Sequence, residues 1–191
     1  YYNAGTIFSS RNRGDLAENY FKKAISLNTK DPRFYVELGT LLYLSKKTRE
    51  ASATLEEALK LDPNNLTAQF YMGKVLKDSK EYSASLPYFE KASRDQEFKV
   101  RALVETGSCY MSLKMIDKAI PELDRAVKIS GNDAETDCLY ARYFLGLCYE
   151  KKQDLPTAVA QWEKIYAIKK NFRDVGEKLV QYQDYRQSGQ V

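Results

Sequence analysis

The sequence predicts an all-α chain built as a stack of antiparallel helix pairs, and three observations carry that prediction. Gly5, Gly39, Gly73 and Gly107 recur at intervals of 34 residues, and Gly146 follows after 39. Ladders of matched size repeat the interval. Small residues stand at Ala17, Ala51, Ser85, Ala119 and Ala158, and at Ala24, Ala58, Ala92 and Ala126, a ladder that Ile165 extends; bulky ones stand at Phe21, Leu55, Phe89, Leu123 and Trp162, and at Phe8, Leu42, Leu76, Tyr110 and Tyr149. Within one interval Tyr35, Leu38, Leu41 and Leu42 keep helical spacing, Ser45 to Thr48 are polar, and Ala51, Leu55, Ala58 and Leu59 resume the spacing. A fixed period of this length marks stacked supersecondary units. Glycine and alanine let two helix backbones approach, and the bulky ladder fills the space beside the crossing.

These residues resemble the tetratricopeptide repeat, whose 34-residue pattern has a small residue at its eighth position, Ala at the twentieth and twenty-seventh, and Pro at the thirty-second. The resemblance covers about nine tenths of the chain and implies a right-handed α-solenoid, here one domain over 1–191. It sets a truncated first repeat at 1–31 and full repeats at 32–65, 66–99, 100–133 and 139–172. The sequence departs from the pattern where the closing proline survives only as Pro63, and where Gln69 and Arg142 occupy the bulky fourth position.

Each element has its own justification. Tyr1 enters at the fourth position of a repeat, so the chain is expected to be an excerpt of a longer protein. Asp62-Pro63 ends a second helix because proline cannot continue it. Pro87, Pro121 and Pro156 are expected near the starts of second helices, where backbone N–H groups lack partners anyway. Gly14 and Gly131 are placed in turns. Five extra residues lie between Asp133 and Leu139, where Asn132 and Glu135 read as a capping box that starts the next helix about a turn early. Phe172, Val175, Leu179 and Tyr182 form one apolar stripe, so an amphipathic helix over about 173–187 is expected to cover the last repeat, with fraying after Gln187.

Composition excludes several chemistries. With no histidine among 191 residues, Ser-His-Asp and Cys-His nucleophiles and mixed Cys/His zinc sites are ruled out. Carboxylate pairs such as Glu56 with Glu57, or Asp15 with Glu18, fall on solvated helix faces, so the chain is expected to be no enzyme, with no cofactor and no metal. Cys109, Cys138 and Cys148 lack CxxC spacing. Cys109 and Cys148 share the tenth position of neighbouring repeats and read as small buried hydrophobes, while Cys138 is expected to be the most exposed thiol. Free thiols favour a reducing compartment, which tilts localisation to the cytoplasm, with a bacterial envelope as the alternative. Basic and acidic residues number 10 and 8 in 1–65, 11 and 10 in 66–133, and 9 and 8 thereafter. No basic stripe emerges, so nucleic acid is not expected as a partner despite fifteen tyrosines, many of them at packing positions. No apolar run approaches the roughly 18 residues of a membrane span.

What the resemblance implies is protein interaction, with a partner peptide or helix held along the first helices at the second, fifth, ninth and twelfth positions. Here those residues include Val36, Thr40, Tyr43, Phe70, Lys74, Lys77, Val104, Ser108, Met111, Tyr143 and Leu147. The mixture suits an amphipathic helix or an extended apolar peptide with an acidic residue near Lys74 and Lys77. Against that stands a plainer role, in which some of these side chains only seal one first helix to the next. Family members that clamp chaperone tails use Lys and Asn, then Asn, then Lys and Arg, where this sequence has Val36 and Thr40, then Tyr71, then Arg101 and Glu105. Such a clamp is not expected. Self-association through the open first repeat is the alternative reading; an RNA-binding repeat and an accessory domain of an enzyme are weaker ones.

Overall fold

A computed structural model describes residues 1–186. Those residues form helices and no strand, and they divide into two compact bodies, Tyr1–Asp95 and the residues from Gln96 onward. The N-terminal body pairs α1 (Tyr2–Ser10) with α2 (Gly14–Leu27), α3 (Pro32–Leu44) with α4 (Thr48–Leu61), and α5 (Leu66–Asp78) with α6 (Tyr82–Ala92); α2 also packs on α3 and α4 on α5. The C-terminal body pairs α7 (Lys99–Ser112) with α8 (Ile116–Ser130) and α9 (Thr136–Lys151) with α10 (Leu155–Ile168). It is closed by two short helices, α11 (Val175–Gln181) and α12 (Gln183–Arg186), where the stripe predicts a single one. The fraying expected after Gln187 lies outside the described residues.

The glycine ladder marks the crossing within every pair. A Cβ on Gly5, Gly39, Gly73 or Gly107 would sit 2.6, 2.7, 2.8 or 2.5 Å from Phe21, Leu55, Phe89 or Leu123 respectively, and one on Gly146 would run into the Trp162 indole. These bulky partners are fully buried, as are Ala17, Ala51, Ser85, Ala119 and Ala158 beside them. Close approach of backbones, rather than glycine's conformational freedom, is what these positions require.

Freedom matters in the turns instead. Asn12, Lys46, Lys80, Lys114 and Gln153 occupy one register position, and all five adopt the left-handed conformation, with φ of 57°, 63°, 65°, 61° and 62°. The following N–H reaches back across the turn, as in Lys47 N to Leu42 O at 2.9 Å and Met115 N to Tyr110 O at 2.8 Å. This is the Schellman closure, which satisfies the last carbonyls of the first helix and reverses the chain. Two of the first helices have side-chain caps: Asp31 accepts from Arg33 N (3.0 Å) ahead of Pro32, and Asn65 from Ala68 N (3.0 Å).

Four local expectations are corrected. Pro87 and Pro121 lie inside α6 and α8, because the Schellman turns start those helices at Tyr82 and Ile116; only Pro156 sits in a first turn. Gly14 opens α2 instead of lying in the preceding turn, while Gly131 does terminate α8 with φ 65°. The capping box does not form. Helix α9 still begins three residues ahead of Leu139, but Asn132 Oδ1 accepts from Ala134 N (3.0 Å) and Glu135 from the Ser130 hydroxyl (3.0 Å). Cys138 is fully buried, not exposed: its thiol donates to Asp133 Oδ1 at 3.6 Å, and Arg142 Nη2 holds the same oxygen at 2.5 Å. That tie folds the inserted residues back over the thiol. Cys109 and Cys148 are buried and form no disulfide, and burial pushes the Cys148 thiol up to about 12.

Candidate partner-binding surface

In the N-terminal body α3 and α5 lie side by side as successive first helices, with α1 on the other side of α3. Val36 and Phe70 are buried, at 6% and 5% exposure, so they build this surface from beneath. Phe70 packs edge-on to Phe89 at 5.9 Å and belongs to the α5–α6 crossing. Thr40, Tyr43, Lys74 and Lys77 are half-buried and remain accessible. Tyr43 joins the two helices, with its ring 5.7 Å from Tyr71 and its hydroxyl donating to Asp78 Oδ2 at 2.9 Å. Lys74 and Lys77 both have interactions of their own and are not idle cations.

In the C-terminal body α7 and α9 form the equivalent surface. Val104 is buried in the cluster of Leu103, Leu123 and Leu145, and Ser108, Met111 and Leu147 are half-buried. Tyr143 is 6% exposed and committed. Its hydroxyl donates to Asp174 Oδ1 at 2.7 Å, and the Arg173 guanidinium lies 4.8 Å over its ring. Burial first, and then the Asp174 carboxylate, push its phenol up. The eleven residues thus fall into two groups, one per body, and in each group the more apolar members double as core.

Three features lie outside the eleven residues named from the second, fifth, ninth and twelfth positions. Glu37, at the sixth, is half-buried, and burial alone pushes its carboxyl above the usual range. Tyr2, on α1, lies close enough for Glu37 to raise its phenol further, and it packs 5.1 Å from Phe34. Tyr2 occupies a fifth position, so the period itself could have found it. The bulky-position departures Gln69 and Arg142 are both buried. Gln69 Nε2 donates to Pro63 O at 2.7 Å, and Arg142 donates to Asp133 and, at 3.2 Å, to Gln161. Each keeps one buried atom without a partner, Gln69 Oε1 and Arg142 Nε. Among the described residues no group of three or more Cys, Asp or Glu is placed to hold a metal ion, and no helix is long and apolar enough to cross a membrane.

Two profiles of the tetratricopeptide repeat match this chain, one over residues 10–72 and the other over 71–134. The chain belongs to the tetratricopeptide-repeat (TPR) family. It is 22% identical over 140 residues to anaphase-promoting complex subunit 3 of Schizosaccharomyces pombe, covering 73% of this chain and 21% of that protein. It is 24% identical over 142 residues to anaphase-promoting complex subunit CDC16 of Saccharomyces cerevisiae, covering 71% and 17%. The chain thus spans about a fifth of the length of these curated relatives. Among solved structures, MamA residues 41 to the end from Desulfovibrio magneticus RS-1 superposes with TM-score 0.78 at 23% identity, covering 90% of this chain and 94% of that one. YrrB, described as a TPR protein with an unusual peptide-binding site, gives TM-score 0.78 at 22% identity over 93% and 89%. These likenesses establish the fold, an α-solenoid of stacked helix pairs.

Proposed function

We propose that this TPR chain is a protein-interaction scaffold module that holds an extended or helical segment of a partner protein along its first helices. One observation carries the reading: half-buried side chains of consecutive first helices stay accessible in each body, Tyr43, Lys74 and Lys77 in one and Met111 and Leu147 in the other, although Tyr43, Met111 and Leu147 also pack against the cores. Thr40, Tyr43, Lys74 and Lys77 supply contacts in one body, Ser108, Met111 and Leu147 in the other, while Val36, Phe70, Val104 and Tyr143 hold those helices in place. An acidic residue of the partner suits Lys74 and Lys77. The peptide-binding site of YrrB and the place of the fungal relatives in a multisubunit complex support the reading.

The module is assigned no catalysis of its own. It lacks the imidazole on which most proton transfer near neutral pH relies. Affinity capture with the wild type, with Tyr43→Ala/Lys77→Glu/Ser108→Glu, and with the second-helix control Glu90→Lys tests the surface. Loss of a partner only in the triple variant is the expected result; equal recovery by all three rejects the first-helix face. Self-association is the second reading, favoured by the exposed Ile7 on α1, at 50%. Sedimentation over a range of concentrations that returns a strict monomer excludes it.

A further inference from the structure

Glu37 lacks the compensation that other charges near it receive. Arg33, one turn earlier on α3, is spent on Asp31 at 2.6 Å, while Glu37 itself makes no hydrogen bond or ion pair among the described residues. No cation offsets the burial that pushes its carboxyl up. Thr40 lies one turn further along the same face, since residues three apart on a helix are neighbours. Its hydroxyl is buried without a hydrogen-bond partner, although the residue as a whole is half-exposed. The Tyr2 ring on α1 packs 5.1 Å from Phe34, one turn before Glu37 on α3, and it already receives a guanidinium, that of Arg33, at 5.7 Å.

A carboxylate half out of water and a stranded hydroxyl both cost the free protein stability. Such uncompensated groups, gathered beside a ring that accepts cations, are complementary to a positive side chain with hydrogen-bond donors. We propose that Glu37, Thr40 and Tyr2 form a subsite for one lysine or arginine of the partner segment. Glu37 takes the charge, the Thr40 hydroxyl turns out of its buried position to accept one N–H, and the Tyr2 ring covers the alkyl stem and the cation. This subsite rests on the first-helix reading of the binding surface and adds the chemistry of one anchor residue. It lies one register step from Tyr43, so a bound segment that spans both carries its basic residue towards α1.

The test uses a positional-scanning library of acetylated, amidated hexapeptides against the full chain, read by fluorescence polarisation. The selected peptide is then compared with its citrulline or norleucine counterpart. The expected result is selection of Lys or Arg at one position, loss of about tenfold in affinity on removing the peptide's charge, and the same loss in Glu37→Gln with no further loss when both changes are combined. Thr40→Val, which keeps the shape, weakens the same peptide independently of Glu37→Gln's folding. Peptides that bind and are lost in Tyr43→Ala, yet show no preference for a basic residue and no response to Glu37→Gln, overturn the subsite and leave the surface intact. Absence of any binding that Tyr43→Ala weakens overturns both.

Discussion

The two bodies treat a half-buried carboxylate on a first helix in opposite ways. In the C-terminal body Glu150 on α9 accepts two bonds from Lys178 Nζ, at 2.8 and 2.9 Å, and one from the Tyr182 hydroxyl at 2.8 Å. Lys178 also stands 4.8 Å over the Trp162 ring, and Arg173 and Asp174 close on Tyr143. In the N-terminal body Glu37 and Thr40 on α3 receive nothing comparable. The difference lies in the segment that succeeds the last repeat: it brings donors and countercharges with it, and a partner segment would have to bring its own. The carboxylate is compensated within the chain in one body and left uncompensated in the other.

The largest expected effect tests whether the two bodies at least share their crossing geometry. Gly146→Ala drives a methyl into a rigid, fully buried indole, whereas Gly39→Ala meets Leu55, which has rotamers to spare. Overpacking of this kind costs about 3 kcal/mol at the tryptophan and about 1–2 kcal/mol at the leucine, measured by urea unfolding. Equal losses would mean that the crossings differ less than their ladders do.

The second prediction sets two carboxylates against each other. Glu150→Gln strands Lys178 and weakens a site of three hydrogen bonds, at a cost of about 1–2 kcal/mol. Glu37→Gln has the opposite sign, a gain under about 1 kcal/mol at neutral pH, since the charge it removes is desolvated and unpaired. The pH dependence comes from the raised folded pKa. Below the ordinary value of 4.5 both states are protonated and Glu37 costs nothing; as pH rises through that value towards the folded one, the unfolded state ionises first and stability is lost. The gain in melting temperature of Glu37→Gln over wild type is therefore expected at about pH 7 and absent at about pH 3.5. A gain that does not vary with pH would assign it to packing instead of charge.

How legible each feature is in the sequence depends on the kind of signal it leaves. Pairing of Gly39 with Leu55 or Gly146 with Trp162 depends on side-chain size at a fixed offset, and a repeated chain displays that offset five times over. Sequence position misplaces Cys138 because its burial depends on Asp133 folding back onto Arg142, a contact between an insertion and a departure from the repeat, which no period encodes. Pro87 misleads for a related reason: the turn at Lys80 starts α6 five residues before it, so the proline is tolerated inside the helix and does not mark its beginning. Of the eleven surface residues, position alone names the helices correctly but does not tell Tyr43, which stays accessible, from Tyr143, which Asp174 and Arg173 close over. Glu37 is silent in the sequence because its significance is the lack of a countercharge, and absence of a neighbour is visible only once the neighbours are placed.

The turns provide the smallest effect and the control for the comparison. Lys46, Lys80 and Lys114 hold a left-handed backbone that a Cβ disfavours by about 1–2 kcal/mol, yet no glycine stands at any of these register positions. Replacing one by glycine relieves that strain and adds unfolded-state entropy, leaving a net gain of about 0.5 kcal/mol. Because Lys46 and Lys114 have the same closure, with reach-back bonds of 2.9 and 2.8 Å, Lys46→Gly and Lys114→Gly are expected to raise stability equally although they lie in different bodies. Urea unfolding of each single variant, together with hydrogen exchange resolved to each body, checks this. Unequal gains would show that the bodies differ in their backbone frames as well as in the charges on their first helices, and the contrast between Glu37 and Glu150 would then no longer be one of side-chain partners alone.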